Sequence, residues 1–98
     1  MTREEIAEIN EEALLIDGFD SAIIGMAERI NLGPVVAYDE EKIIDILSKE
    51  MELEDTESMT EDEIESEKYM MAVEYFEYNI KGAWLGENTP IFIRGSFL

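Results

Sequence analysis

Asp17 and Asp20 stand on either side of Gly18, close enough to share a cation if the stretch between them is a loop, and carboxylate oxygens are what calcium and magnesium take. The spacing falls short of a dedicated site. An EF-hand loop needs Asp-x-[Asp/Asn]-x-[Asp/Asn]-Gly and a Glu at its twelfth position, and the chain has no such run. Asp17-Gly18 reads more simply as a turn that ends a helix, with Asp20 capping the next element. No metal site is expected, and whether the two carboxylates meet a cation stays open at the level of sequence.

Glu74 and Glu77 are the other pair that could do chemistry. Two carboxylates act as general acid and base only when their surroundings push their pKa values apart, usually by burying one of them. Both fall between the apolar stripes of a helix, where solvated edge residues are the ordinary case. Gly82, Gly86 and Gly95 match neither Gly-x-x-x-x-Gly-Lys-[Ser/Thr] nor Gly-x-Gly-x-x-Gly, so nucleotide binding has no support. The chain contains no Cys and no His. That removes disulfides, Cys/His zinc sites, Ser-His and Cys-His nucleophiles and any imidazole base. No catalytic residue and no cofactor are expected. The alternative to a binding role is a small carboxylate-based or divalent-metal-dependent enzyme, or a ligand-binding domain, built on these pairs.

Charge is the dominant feature. Against 7 Lys and Arg stand 25 Asp and Glu, a formal net charge of −18 in 98 residues. Ten of these acids, Glu50, Glu52, Glu54, Asp55, Glu57, Glu61, Asp62, Glu63, Glu65 and Glu67, succeed one another without an intervening Lys or Arg. Such a surface repels nucleic-acid phosphates and steers basic surfaces toward itself over a Debye length of about 8–10 Å. Part of the charge has a structural use, because Glu4, Glu5, Glu40, Glu41, Glu61, Asp62 and Glu63 fall in helix first turns, where the helix dipole favours acids.

The elements that must carry these groups can be read from the apolar pattern. Leu, Ile, Val and Phe make up 27 of the 98 residues, above the roughly 20% found in unfolded compositions, so a folded chain is expected, and its length suits one domain. Thr2 and Glu5 have capping-box spacing, and Ile6, Ile9, Ala13 and Leu14 then recur at helical spacing up to Asp17-Gly18. Ala22 to Met26 and Val35 to Tyr38 read as two short antiparallel strands, the first with a helical turn as its alternative, joined by a connection containing Asn31 and Gly33-Pro34. Asp39 stands where an N-cap belongs, and Ile43, Ile44, Leu47 and Met51 give a second helix its apolar face. Like charges repel across the acidic stretch, so a mobile segment is expected at about 50–60. Thr60 and Glu63 repeat the capping box, and a third helix runs from there to about Gly82. Thr89 to Ile93 reads as a closing strand with Pro90 near its start.

The order is therefore α-β-β-α-α-β, an α+β fold with a short antiparallel sheet and helices on one face, in one domain over residues 1–98. No apolar run approaches the roughly 20 residues of a membrane span, so a soluble, cytoplasmic chain without membrane contact is expected.

The third helix carries two apolar stripes. Tyr69, Ala72, Val73, Phe76 and Ile80 share one face, and Met71, Tyr75 and Tyr78 lie almost opposite. A helix buried on two sides is the ordinary explanation, and a partner or homodimer surface is the other, since Met and Tyr are enriched at interfaces. Trp84 divides the same way, between a core residue that closes the third helix on the last strand and an exposed interface anchor.

Several segments taken together carry a resemblance: Asp17-Gly18-Phe19-Asp20 with Ala22-Ile23-Ile24-Gly25, Val35-Val36-Ala37-Tyr38-Asp39 with Lys42, and Glu74-Tyr75-Phe76-Glu77-Tyr78-Asn79 leading to Gly82-Ala83-Trp84-Leu85-Gly86-Glu87 and Thr89-Pro90-Ile91-Phe92. They resemble a group of small proteins of tailed bacteriophages and prophages that have no assigned activity. The resemblance covers about residues 12 to 49 and 69 to 93. It implies a phage origin and a place in the host cytoplasm, and it supplies no catalytic residue. The acidic stretch departs from the group's pattern, which has a short link between the second and third helices.

The sequence thus points to a small acidic phage protein that binds a host or phage protein with a basic surface, with phosphate mimicry as one mode of that binding, and without touching nucleic acid itself. The residues expected to carry binding are Glu61, Glu63 and Glu65 for steering and Met71, Tyr75, Tyr78 and Trp84 for apolar contact.

Overall fold

The structure is a computed structural model that describes residues 1–95. It is a small α+β domain of three helices and a three-stranded sheet. Within it the chain falls into two compact units, one made of Met1–Lys42 with the stretch from Trp84 onward, the other of Ile43–Ala83.

The first unit opens with helix α1 (Arg3–Ile9). Its capping box forms as the spacing requires: Thr2 Oγ1 accepts from the Glu5 amide at 3.1 Å, and Glu5 Oε1 accepts from the Thr2 amide at 3.0 Å. Periodicity carries the helix on through Ala13 and Leu14, but it stops at Ile9. Asn10 ends it by leaving the helical conformation and using its side chain elsewhere. Its Nδ2 donates to the Pro34 carbonyl at 2.8 Å and to Asn88 Oδ1 at 3.1 Å, while its Oδ1 accepts from the Glu12 amide. An Asn that finds backbone and side-chain partners of its own competes with helix continuation.

A 3₁₀ turn over Asp20–Ala22 leads into strand β1 (Ile23–Arg29), which pairs antiparallel with β2 (Leu32–Asp39). Two residues connect them, with Asn31 in the left-handed region at φ 64°, a conformation Asn tolerates better than most residues. Gly33-Pro34, expected in the connection, instead belongs to β2. Arg29 pairs with Leu32 and Ala27 with Val35, so Glu28 faces the two residues Gly33 and Pro34 across a bulge. A bulge is one of the few places in a sheet where proline, with no amide hydrogen, can sit.

Strand β3 (Ile91–Ile93) pairs with β2 in parallel, placing Ala37 beside Ile91, Tyr38 beside Phe92 and Asp39 beside Ile93. The sheet is therefore mixed, in the order β1-β2-β3, where an antiparallel sheet was expected. Parallel pairing needs a long crossover, and residues 40–90 supply one. Central β2 has four consecutive buried residues, Val35 to Tyr38, so both of its faces are covered. The Tyr38 ring stacks on Phe92 at 6.1 Å between centroids, and its hydroxyl accepts from the Ile16 amide at 2.9 Å. Burial pushes the Tyr38 phenol pKa up.

Helix α2 (Glu40–Glu50) begins in the first unit, where Asp39 Oδ1 accepts from the Lys42 amide at 3.2 Å. From Ile43 the chain belongs to the second unit. Ile43, Ile44 and Leu47 are buried there. Residues 51–60 form neither helix nor strand, and α3 (Glu61–Tyr75) then starts on a second capping box, with Thr60 Oγ1 accepting from the Glu63 amide at 3.2 Å. The helix continues to Lys81, but as a π-helical segment over Phe76–Lys81. Among the described residues, no helix is long and apolar enough to cross a membrane.

Candidate functional site

All ten acids from Glu50 to Glu67 are exposed. Their density is greatest at the start of α3, where Glu61, Asp62, Glu63, Glu65 and Glu67 fall within seven residues. At roughly 1.5 Å of rise per residue these five charges span about 9 Å. That is about one charge per 2 Å, beside one per about 1.7 Å along duplex DNA. Helix formation thus compresses the charge to nearly the density of a nucleic-acid backbone. Glu63 differs from its neighbours, because its Oε1 accepts from Thr60 Oγ1 at 3.1 Å and from the Thr60 amide at 3.4 Å. Of the three acids expected to steer a partner, Glu61 and Glu65 are available and Glu63 caps the helix.

The two stripes of α3 have different fates. On the first, Ala72 and Phe76 are completely buried, whereas Tyr69 is 42% exposed. On the second, Tyr75 is 47% and Tyr78 83% exposed, and Met71 is half-buried. The expectation of burial on both sides therefore fails for the Tyr pair. Met71, Tyr75 and Tyr78 instead line one open groove of the second unit, together with Met51, Glu74 and Asn79. Sequence reasoning missed Met51 and Asn79 in this role. Periodicity places Met51 on the apolar face of α2, but that helix ends at Glu50 and leaves it beyond the last turn. Met70 is another residue that the pattern does not single out, and it is 58% exposed; only its residue type could have marked it.

The π-helical turn under Tyr78 depends on close backbone approach at its end. A Cβ on Gly82 would lie 2.9 Å from the Glu77 carbonyl oxygen and 3.3 Å from that of Tyr78. Glycine alone fits there without movement of the backbone. π turns inside helices recur at functional sites, and this one carries the most exposed aromatic side chain of the groove.

Trp84 belongs to the first unit, and the groove to the second. Of the two readings of Trp84, a core residue or an exposed anchor, the core one does not hold: it is 67% exposed, and Leu85 beside it is 68% exposed. The loop after it is held by its own polar bonds: Thr89 Oγ1 donates to the Gly86 carbonyl at 2.7 Å and accepts from the Leu85 amide at 2.9 Å. With Thr89 buried and Gly86 in the left-handed region at φ 99°, the turn is made by backbone and hydroxyl, with no need of the Trp ring.

The Asp17 and Asp20 pair is engaged within the protein. Arg3 closes on the Asp17–Asp20 loop, its Nε and Nη2 donating to the two oxygens of Asp20 at 2.8 and 2.9 Å and Nη2 also to Asp17 at 3.0 Å. The hydrogen bonds to Asp20 and Asp17 push the Arg3 pKa up, and the guanidinium holds the Asp20 carboxyl below its usual range. A cation does meet these two carboxylates, and it is an arginine of the same chain. Among the described residues no group of three or more Asp, Glu, His or Cys side chains is arranged to hold a metal.

Glu74 and Glu77 are both exposed, and Glu77 approaches Lys81 at 3.7 Å. The buried carboxylate among the described residues is Glu40, 4% exposed and joined to Arg94. A broader depression lined by Asp45, Ser48, Lys49, Asp62, Glu65, Ser66, Lys68 and Tyr69 mixes both signs of charge, and its three carboxylates belong to exposed residues.

No protein family, curated protein or solved structure matches this chain. The geometry itself defines a dense acidic helix start and, further along the same helix, an open groove of Met and Tyr.

Proposed function

We propose that this chain is a non-enzymatic binding factor that engages a protein with a basic, nucleic-acid-binding surface inside an infected bacterial cell, presenting carboxylates where that surface expects phosphates. The observation that carries the proposal is the run of exposed acids at the start of α3, whose charge density comes within about one fifth of that of duplex DNA. The net charge of −18 supports it by favouring encounter with basic surfaces and opposing direct contact with nucleic acid. The phage setting rests on the sequence resemblance.

Steering by charge and holding by apolar contact are separate tasks. Exposed acids raise the association rate and set its salt dependence. Aromatic side chains in a depression supply contact area at low entropic cost, and interface energy concentrates on a few such residues. Tyr75, Tyr78 and Met71 meet that description.

The test is a charge reversal that spares the helix cap. Glu57→Lys, Glu65→Lys and Glu67→Lys together leave Glu63 on Thr60 and are expected to slow association at low salt by about tenfold or more, and to flatten its salt dependence. Unchanged association at low salt, with folding intact, would remove the steering reading.

A further inference from the structure

The groove of the second unit has a composition that selects its occupant. Met51 and Met71 offer unbranched, adaptable apolar side chains, Tyr75 and Tyr78 offer exposed rings, and Glu74 places a carboxylate among them. Among the described residues no ion pair engages Glu74, whereas Glu77 on the next turn is met by Lys81. A carboxylate without a cation, set beside exposed phenol rings, is the complement of a guanidinium. That group is planar, stacks on aromatic faces and bonds carboxylates through a fork of N–H donors.

We infer that the groove receives an arginine-bearing amphipathic segment of the partner, with the guanidinium on Glu74 and the face of Tyr78 or Tyr75, and neighbouring apolar side chains against Met51 and Met71. The inference rests on the binding role proposed above and names the chemistry of the partner at one place. Charge argues against the other occupants. A second copy of this chain would bring another −18 to an already negative surface, and nucleic acid would bring phosphates to Glu74. A segment rich in arginine is also what a nucleic-acid-binding protein carries in the surface that the acidic helix start attracts.

Two exposed positions make the test clean, since Tyr78 and Glu74 can be altered without opening a core. The probes are fluorescein-labelled helical peptides of about 16 residues, one of Arg and Leu in amphipathic order, one with Lys for Arg, one with Ser for Leu. Affinities are measured by anisotropy for wild type, Tyr78→Ala, Glu74→Gln and the Glu57/Glu65/Glu67 reversal.

The Arg/Leu peptide is expected to bind wild type about fivefold tighter than the Lys/Leu peptide and about tenfold tighter than the Arg/Ser peptide. Tyr78→Ala and Glu74→Gln should each lose about fivefold for Arg/Leu and little for Arg/Ser. Equal affinities for the Arg and Lys peptides would overturn the guanidinium assignment. Wild-type affinity in both groove variants, with binding lost in the reversal variant, would overturn the groove while leaving the acidic reading intact. Absence of binding by wild type to any of the three peptides at low salt would overturn both.

Discussion

Arg94, just past strand β3, reaches Glu40 at the first position of helix α2, with Nε 2.5 Å from the carboxylate. Glu40 is 4% exposed, whereas the Arg94 side chain is 67% exposed. The pair gives a cation to a buried acid that sequence placed only in the favourable first turn of a helix, and it fastens the short parallel strand beside β2. Removing the arginine leaves a desolvated charge behind, a loss of about 3–5 kcal/mol when both partners are buried. Here solvent reaches one partner, so Arg94→Ala is expected to cost about 1–2 kcal/mol. Urea denaturation gives that number, and a double variant with Glu40→Gln should lose less than the sum of the two single losses.

Replacement of Gly82 by Ala tests the π-helical turn. The added Cβ would stand 2.9 Å from the Glu77 carbonyl oxygen, so the last turn must open, with an expected cost of about 1–3 kcal/mol. The same change at Gly25, where a Cβ meets nothing within 4 Å, is expected to have a smaller effect on the same denaturation curve. Equal midpoints for the two variants would show that the turn is not held by close approach at Gly82.

Acid should loosen the N-terminal clamp. Arg3 holds the Asp20 carboxyl below its ordinary value, and the Thr2 amide and hydroxyl do the same for Glu5. A carboxyl depressed in the folded state contributes stability above its unfolded pKa and loses it as pH falls through the folded value. The loss therefore begins near about pH 4–5 and continues downward. Arg3→Gln should flatten this acid limb of a stability-against-pH series and leave neutral and mildly alkaline points parallel to wild type.

Tyr38 governs the opposite limb. Burial raises its phenol pKa, so the unfolded chain releases this proton before the folded one does. Its contribution is intact below about pH 10 and declines as pH rises from there through the folded value. Tyr38→Phe removes the alkaline slope, while costing about 1 kcal/mol at neutral pH for the lost bond from the Ile16 amide.

Where the determinants were local, the sequence was legible. Both capping boxes, Thr2 with Glu5 and Thr60 with Glu63, form at their expected spacing, because each is decided within four residues. The burial of Ile43, Ile44 and Leu47 can be read from their helical period alone.

Features decided across the chain were not legible. Helix α1 stops early because Asn10 finds Pro34 and Asn88, 24 and 78 residues away. Pro34 enters a strand because a bulge opposite Glu28 accommodates it, and β3 runs parallel because a long crossover brings it back in the direction of β2. The exposure of Tyr75, Tyr78 and Trp84 could not be read from periodicity, which reports that a stripe is apolar and not what, if anything, covers it. Among the candidate site residues, Glu63 shows a related conflict: one residue cannot be fully committed to a helix cap and also be free for a partner.

In the proposed role, charge brings this protein to a nucleic-acid-binding partner. The most direct measurement is an affinity capture from bacterial lysate at about 50 and 300 mM salt, wild type beside the Glu57/Glu65/Glu67 reversal, with bound proteins identified by mass spectrometry. The expected result is a set of nucleic-acid-binding proteins that wild type retains at the lower salt and releases at the higher, and that the reversal variant fails to retain at either. Recovery of the same proteins by both forms at both salts would contradict it.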